Sequence, residues 1–187
     1  MHDRDLDQRL IAILKQAPLR MHVFEIVRSL ALPDWAVGAG FIRAAVWDAL
    51  SGYTIASPVD DIDVLYFDPG NRDPRHDETI EQRLRDRDPA LPWSVRNQAR
   101  MHIRNGDDPY ASTADALRFW LETPTCVAAR LDTGGGLEIL APYGLQDLFS
   151  MSIRPTSRGH ARRAEYIARI TEKRWHERWP NVTIELP

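Results

Sequence analysis

The 187-residue sequence has one cysteine, Cys126, and only two lysines, Lys15 and Lys173, beside 22 arginines. A single thiol excludes an internal disulfide framework, and a reducing compartment is the expectation that follows. No apolar stretch approaches the roughly 20 residues needed to cross a bilayer, because Arg, Asp or Glu interrupts every hydrophobic run, so no membrane partner is expected. The opening MHDRDLDQRL carries three aspartates where a secretory leader needs basic residues and then an apolar segment, which points to the cytoplasm. A P-loop is missing too: Gly134-Gly135-Gly136 is not followed by Lys and Ser/Thr, and it lies between two expected strands. No second histidine stands at ligand spacing from His22 or His102, which leaves no evident zinc site. The scarcity of lysine beside arginine reads as GC-rich coding before any phosphate-binding role.

What is present is the makeup of a globular chain, 43% hydrophobic and 27% charged, long enough to bury a real core. The net charge of −3 is uneven, with 16 basic and 23 acidic side chains in the first 150 residues against 8 and 4 in the last 37. An acidic body argues against broad nucleic-acid affinity, while the basic tail leaves room for an RNA partner.

Leu6, Leu10, Ile13, Leu14 and Ala17 recur at helical spacing up to Pro18, and Val23, Ile26, Val27 and Leu30 repeat the pattern up to Pro33. Trp35-Ala36-Val37 then reads as a short strand, Gly38-Ala39-Gly40 as a turn, and Phe41, Ile42, Ala45, Val46, Ala49 and Leu50 as a helix. A strand is expected over Val59–Phe67, stopped by Asp68-Pro69-Gly70, and a charged loop over 71–92 holds a short helix near 77–86. Further expectations are a strand at Trp93–Asn97, a capping box at Ser112–Asp115 and a hairpin from Cys126–Leu131 to Leu137–Ala141. The last is a helix from Ser157 to Trp179 with Ala161, Ala164, Ile167/Ala168, Thr171 and Trp175 on one side. Mixed elements without internal repeats predict a single α+β domain over 1–187: a helical extension at 1–32, a core at 33–156, and a C-terminal helix and tail at 157–187.

The chemistry sits in Asp61-Ile62-Asp63-Val64. Alternate residues of a strand share a face, so Asp61 and Asp63 point one way, about 6.6 Å apart at their Cα atoms, while Ile62 and Val64 face the core. Two carboxylates aimed at one point suit a hard divalent cation such as Mg²⁺ or Mn²⁺, which completes its shell with substrate phosphate oxygens. Gly38 and Gly40 allow close approach of backbone amides to phosphate, and the helix starting near Phe41 turns its positive end to the same spot. Arg43, a turn into that helix, is placed to meet a triphosphate. Asp60 faces the other way and reads as a turn or salt-bridge residue.

The run Ala39-Gly40-Phe41-Ile42-Arg43, followed by Asp61-Ile62-Asp63-Val64, resembles the Gly-Gly-x-Val-Arg and Asp-x-Asp signatures of the DNA polymerase beta-like nucleotidyltransferase superfamily, which includes tRNA nucleotidyltransferases. Trp93-x-Val-x-Asn97-Gln98-x-Arg100-Met101-His102, Tyr110-x-Ser112-Thr113-x-Asp115-Ala116 and Ala141-Pro142-Tyr143-Gly144-Leu145-x-Asp147-Leu148-Phe149 are similar to a bacterial nucleotidyltransferase-like family within it. The resemblance implies a mixed sheet with the metal carboxylates on its second strand. It also implies a nucleotide held against the helix that follows the glycine turn. The candidate nucleotide-binding residues are Gly38, Ala39, Gly40, Arg43 and Asn97, and the candidate catalytic metal ligands are Asp61 and Asp63. Two departures stand out: Ala39 replaces the first glycine, and Ala44 stands where the tRNA enzymes carry Asp. The superfamily's third carboxylate has no clear counterpart, because the 93–97 strand offers Ser94, Arg96 and Asn97, and Glu138 belongs to the later hairpin.

The expected reaction is transfer of a nucleoside monophosphate from a triphosphate to a hydroxyl on a small molecule, RNA or protein. The alternative is a nucleotide-binding regulatory module on the same fold without turnover. The tryptophans at 35, 47, 93, 120, 175 and 179 read as core, and His102 as structural.

Overall fold

Leu6, Leu10 and Leu14 form the buried stripe of α1 (Asp3–Lys15) in the computed structural model, which describes residues 3–187. The helical extension expected at 1–32 begins on residues 1 and 2, which lie outside the described residues. Pro18 opens α2 (Pro18–Arg28) in the first turn, where its missing amide costs no helix bond, and Val23, Phe24 and Val27 are buried. The chain continues through β1 (Ala36–Gly38), α3 (Gly40–Leu50), β2 (Ile62–Tyr66), α4 (Pro74–Arg87), β3 (Trp93–Asn97), α5 (Gln98–Asn105) and α6 (Thr113–Leu117). After a 3-10 turn at Thr123–Thr125 come β4 (Ala128–Leu131), β5 (Leu137–Leu140), α7 (Gln146–Phe149) and β6 (Ser152–Ile153). The last elements are α8 (Ser157–Ala161), α9 (Arg163–Lys173), α10 (Trp175–Arg178) and β7 (Thr183–Ile184).

Five strands form one mixed sheet in the order β3-β2-β1-β4-β5, with β2 and β3 parallel and the other neighbours antiparallel. This is the α+β architecture that the sequence pattern predicts. Alternation divides β2 cleanly. Ile62, Val64 and Tyr66 enter the main core with Val37, Val95, Ala129 and residues of α1, α2 and α3, whereas Leu65 joins a small second cluster with Ala36, Leu117, Ala128 and Leu140. Asp63 therefore shares the less covered face of the sheet with Leu65.

Several expected elements differ in extent. The segment Val59–Phe67 becomes strand only from Ile62, so Asp61 is the residue just before β2. The helix expected near 77–86 runs Pro74–Arg87, because Asp73 caps it and Pro74 starts it. Ser112 accepts a hydrogen bond from the Asp115 amide, as a capping box requires, yet α6 ends at Leu117 before Trp120. Cys126 and Val127 precede the hairpin strand.

The largest difference is the C-terminal segment. One helix from Ser157 to Trp179 is expected, but the chain breaks at Arg162 and again at Arg174, which takes the left-handed φ of 42°. The buried side chains are Gly159, Tyr166, Ile170 and Trp175, while Ala161, Ala164, Ile167, Ala168 and Thr171 are exposed. Small apolar residues carry little burial energy, and the larger Tyr, Ile and Trp side chains decide the phase. None of the helices among the described residues is long and apolar enough to cross a membrane.

Candidate active site

The turn between β1 and α3 holds its middle residue at a positive φ. Ala39, the residue before α3, has φ 56° and ψ −130°, a conformation that glycine adopts freely and alanine does not. It is held by its amide, which donates to the Val127 carbonyl at 3.0 Å, and by its own carbonyl, which accepts from the amides of Ile42 and Arg43. The result points the start of α3 into a cavity of about 690 Å³. Ala39, Gly40 and Arg43 form one wall, Asp60, Asp61 and Asp63 a second, and α9–α10 the third.

Asp63 is part-buried at the floor of this space and Asp61 is exposed at its rim. Burial, and after it the neighbouring Asp61 carboxylate, pushes the Asp63 carboxyl up to about 6, against the pull of Arg169, Arg96 and Lys173. That strain on the charged form is what a bound cation relieves. Among the described residues no group of three or more His, Cys, Asp and Glu side chains is placed to hold a metal ion. Two carboxylates with room beside them still fit Mg²⁺, which keeps several waters and takes substrate phosphate oxygens as its remaining ligands.

Asp60 also reaches the cavity, through an ion pair with Lys173 at 3.0 Å that holds its carboxyl below the ordinary range. The salt-bridge reading of Asp60 is thereby met, but the expectation that it faces the other way is not: it lines the same cavity as Asp61 and Asp63, because the strand alternation begins only at Ile62. Lys173, Arg174 and Arg178 bring positive charge to the opposite wall. Arg178 Nη1 donates to the Pro58 carbonyl at 2.9 Å and Tyr53 Oη donates to the Arg178 carbonyl at 2.6 Å, so α10 clasps the segment leading to Asp61. Asp48 completes the clasp from α3: it accepts from the Ser57 amide and hydroxyl and from Trp179 Nε1, all within 2.8 Å.

Arg43 is buried between Trp47 and Trp175, 5.1 and 4.7 Å from their ring centroids, and its Nη1 donates to Thr125 Oγ1 at 2.9 Å. Thr125 Oγ1 donates in turn to Glu122 Oε1, which also accepts from Arg169 Nε at 2.7 Å. Burial pulls the Arg43 guanidinium down to about 10, opposed by Glu122, so it remains a cation at neutral pH. Its Nη2 faces Gly40: a Cβ there would lie 3.6 Å away. Gly40 thus keeps one edge of a buried guanidinium open to the cavity.

The structure brings Ala39, Gly40, Arg43, Asp61 and Asp63 to one cavity and leaves two expected residues out of its wall. Gly38 lies on β1 opposite Asp63, where a Cβ would meet Ala128 Cβ at 3.2 Å and Leu65 Cδ1 and the Val127 carbonyl oxygen at 3.3 Å. Its missing side chain serves sheet packing instead of phosphate approach. Asn97 pairs with Tyr66, three strand residues or about 10 Å beyond the Asp63–Ser94 pair. There its Oδ1 accepts from the amides of Asp68 and Ala99, and its Nδ2 donates to the carbonyls of Asp68 and Asn71. Every polar group of that side chain is committed to a turn and a helix cap. Glu138 pairs with Arg130 on the hairpin.

Glu122, Thr125, Arg169, Lys173, Trp175 and Arg178 are the residues that sequence reasoning missed. A signal existed for two of them, because Arg169 and Lys173 are four apart and so share one face of α9.

Residues 25–184 match a nucleotidyltransferase family along most of the chain. The chain belongs to this nucleotidyltransferase family. A structure described by the words "The NMR structure of the protein reveals a CCA-adding enzyme head domain" is 30% identical and superposes with a TM-score of 0.85 over 96% of both chains. A structure titled "tRNA-processing enzyme (apo form 2)" is 18% identical with a TM-score of 0.55, covering 87% of this chain and 44% of the other. Another, "Structure of tRNA-processing enzyme complex 3", is 20% identical with a TM-score of 0.55 over 87% and 43%. These last two share the fold. No curated protein matches the chain. Membership and fold make this nucleotidyltransferase an enzyme of nucleoside monophosphate transfer, and the cavity is where Ala39, Gly40, Arg43, Asp61 and Asp63 meet.

Proposed function

We propose that the cavity binds a nucleoside triphosphate with Mg²⁺ or Mn²⁺ and transfers the nucleoside monophosphate to a hydroxyl acceptor. The observation that carries this reading is the convergence of the Ala39–Gly40 turn, the start of α3 and the Asp61/Asp63 pair on one space. Asp61 and Asp63 would hold the divalent ion. When bound, that ion neutralises phosphate charge and favours the ionised acceptor oxygen.

The chain's own residues do the rest. The Ala39–Gly40 turn brings the Gly40 amide and the positive end of α3 to the phosphates, the Ala39 amide being spent on the Val127 carbonyl. Arg43 Nη2, Lys173 and Arg178 surround the polyphosphate with cations, and the clasp around Asp48 fixes the segment that carries Asp61. The acceptor oxygen forms a bond to the α-phosphorus as the bond to the pyrophosphate bridging oxygen breaks. Pyrophosphate leaves with the electron pair, and the hydroxyl proton passes to solvent.

The test is incubation of the protein with each labelled triphosphate, Mg²⁺ or Mn²⁺ and a cell extract. The expected result is pyrophosphate release and a labelled product, both lost in Asp61→Ala and Asp63→Ala. Triphosphate binding without release under any acceptor mixture would identify a nucleotide-binding regulatory module instead.

A further inference from the structure

A second cavity of about 460 Å³ adjoins the first and shares Ala39, Asp63 and Arg169 with it. The rest of its lining is different in kind. Arg104 comes from α5, Arg158 and Arg162 from α8 and its C-terminal end, and Phe119, Trp120 and Glu122 from the segment before the 3-10 turn. Transfer between two substrates needs two spaces that meet at the reacting phosphorus, and Asp63 stands at such a junction.

The arginines are assembled deliberately. Arg158 and Arg162 both donate to a single carbonyl, that of Asn105 at the end of α5. Arg158 is also paired with Asp107, and Arg162 with Glu165. Burial, and after it the Arg162 charge, lowers the Arg158 guanidinium from its usual value. Two like charges are thus packed side by side on one backbone carbonyl. Arg104 is exposed beside them and makes no ion pair or hydrogen bond among the described residues.

Backbone contact holds this cluster in place. Gly159 packs so closely on the neighbouring strand of chain that a Cβ there would collide with the Leu121 carbonyl oxygen and reach Pro155 Cβ at 3.0 Å. Thr156, the cap of α8, donates from its hydroxyl to the Trp120 carbonyl at 2.6 Å. Glu122 is 1% exposed, and its Oε2 has no hydrogen-bond partner, which leaves a costly buried acceptor at the same wall.

We propose that this second cavity is the acceptor site and that the acceptor carries a phosphate near its reacting hydroxyl, with the phosphate on Arg104, Arg158 and Arg162 and the hydroxyl beside Asp63. The assignment rests on the nucleotide reading of the first cavity. Its volume falls in the range of a small-ligand site, so the recognised unit is of nucleotide or sugar-phosphate size. A free sugar phosphate and the 3′ end of an RNA strand both present this chemistry.

The experiment is nuclear magnetic resonance titration and calorimetry on the full chain, loaded with Mg²⁺ and a non-hydrolysable α,β-methylene triphosphate. The probes are ribose 5-phosphate, ribose, and a short oligoadenylate with a free 3′ hydroxyl. The expected result is saturable perturbation of the Arg104 and Arg162 side-chain Nε and Trp120 Nε1 signals by one phosphate-bearing probe and none by ribose. Arg104→Glu and Arg162→Gln should each weaken that probe about tenfold, the loss of one charge-assisted contact, while triphosphate affinity stays within about twofold. Saturation by the sugar phosphate names a small acceptor, and saturation by the oligonucleotide alone names an RNA end. The proposal is overturned if neither phosphate probe saturates, if ribose binds equally, or if both variants bind the probe as the parent does. Failure of the triphosphate itself to bind, or perturbation by it away from Gly40 and Trp175, would instead overturn the nucleotide reading of the first cavity.

Discussion

Asp63→Asn separates the electrostatic role of this side chain from its place in the fold. In the metal-free protein the carboxyl is raised from 3.8 to about 6. Between those two values the folded chain keeps a proton that the unfolded chain has released, so stability falls as pH rises through that window and stays low above it. The full displacement corresponds to about 3 kcal/mol, and partial solvent access at Asp63 reduces this to about 2 kcal/mol. Asparagine has the same shape and no charge to bury. The variant should therefore be more stable than the parent by about 2 kcal/mol at pH 8 without divalent ions, or about 4–8 °C in a chain of this size. At pH 4 the two should nearly coincide. Adding Mg²⁺ with triphosphate at a hundredfold excess over Kd should stabilise the parent by about 2.7 kcal/mol and the variant far less. Thermal and urea unfolding at pH 4, 6 and 8, with and without both ligands, reads all of this. A variant no more stable than the parent at pH 8, or one that gains as much from metal and triphosphate, refutes the reasoning.

Four further substitutions probe the turn and its surroundings. Ala39→Gly removes the strain of a positive φ and should stabilise the protein by about 1 kcal/mol in urea unfolding, without loss of triphosphate affinity. Gly38→Ala should cost about 1–3 kcal/mol by crowding Ala128, Leu65 and Val127. Gly40→Ala should cost under about 1 kcal/mol yet weaken triphosphate binding about tenfold by calorimetry, because it covers Arg43 Nη2. Asn97→Ala should lower stability by about 2–3 kcal/mol through the lost cap and turn bonds, with triphosphate affinity unchanged.

Much of the sheet was legible because β2 and β3 follow a period of two, with their larger side chains alternating between faces. Asp63 was legible for the same reason, whereas Asp61 reaches the cavity from just ahead of β2, and the turn was legible because glycine-rich punctuation sits between a strand and a helix. Gly38 was assigned because glycine permits close backbone approach and Asn97 because it lies in a family motif, and neither reason reveals which side of a strand or which end of it meets the ligand. The C-terminal wall was hidden by a different effect. Its phase is set by Tyr166, Ile170 and Trp175, and its direction by a left-handed residue, Arg174, whose type gives no warning of that conformation. Cavity residues such as Glu122 and Arg169 lie 47 positions apart and are joined only by folding.

The dependence of the pocket on α9 and α10 sets an order of events during synthesis. β1, β2, β3, the turn and both aspartates are synthesised well before residue 175, so a growing chain carries this carboxylate pair before the opposite wall of the cavity exists. A chain cut ahead of Trp175 would keep Asp61 and Asp63 but lose both a wall of the cavity and the part of the main core that Trp175, Trp179 and Val182 supply.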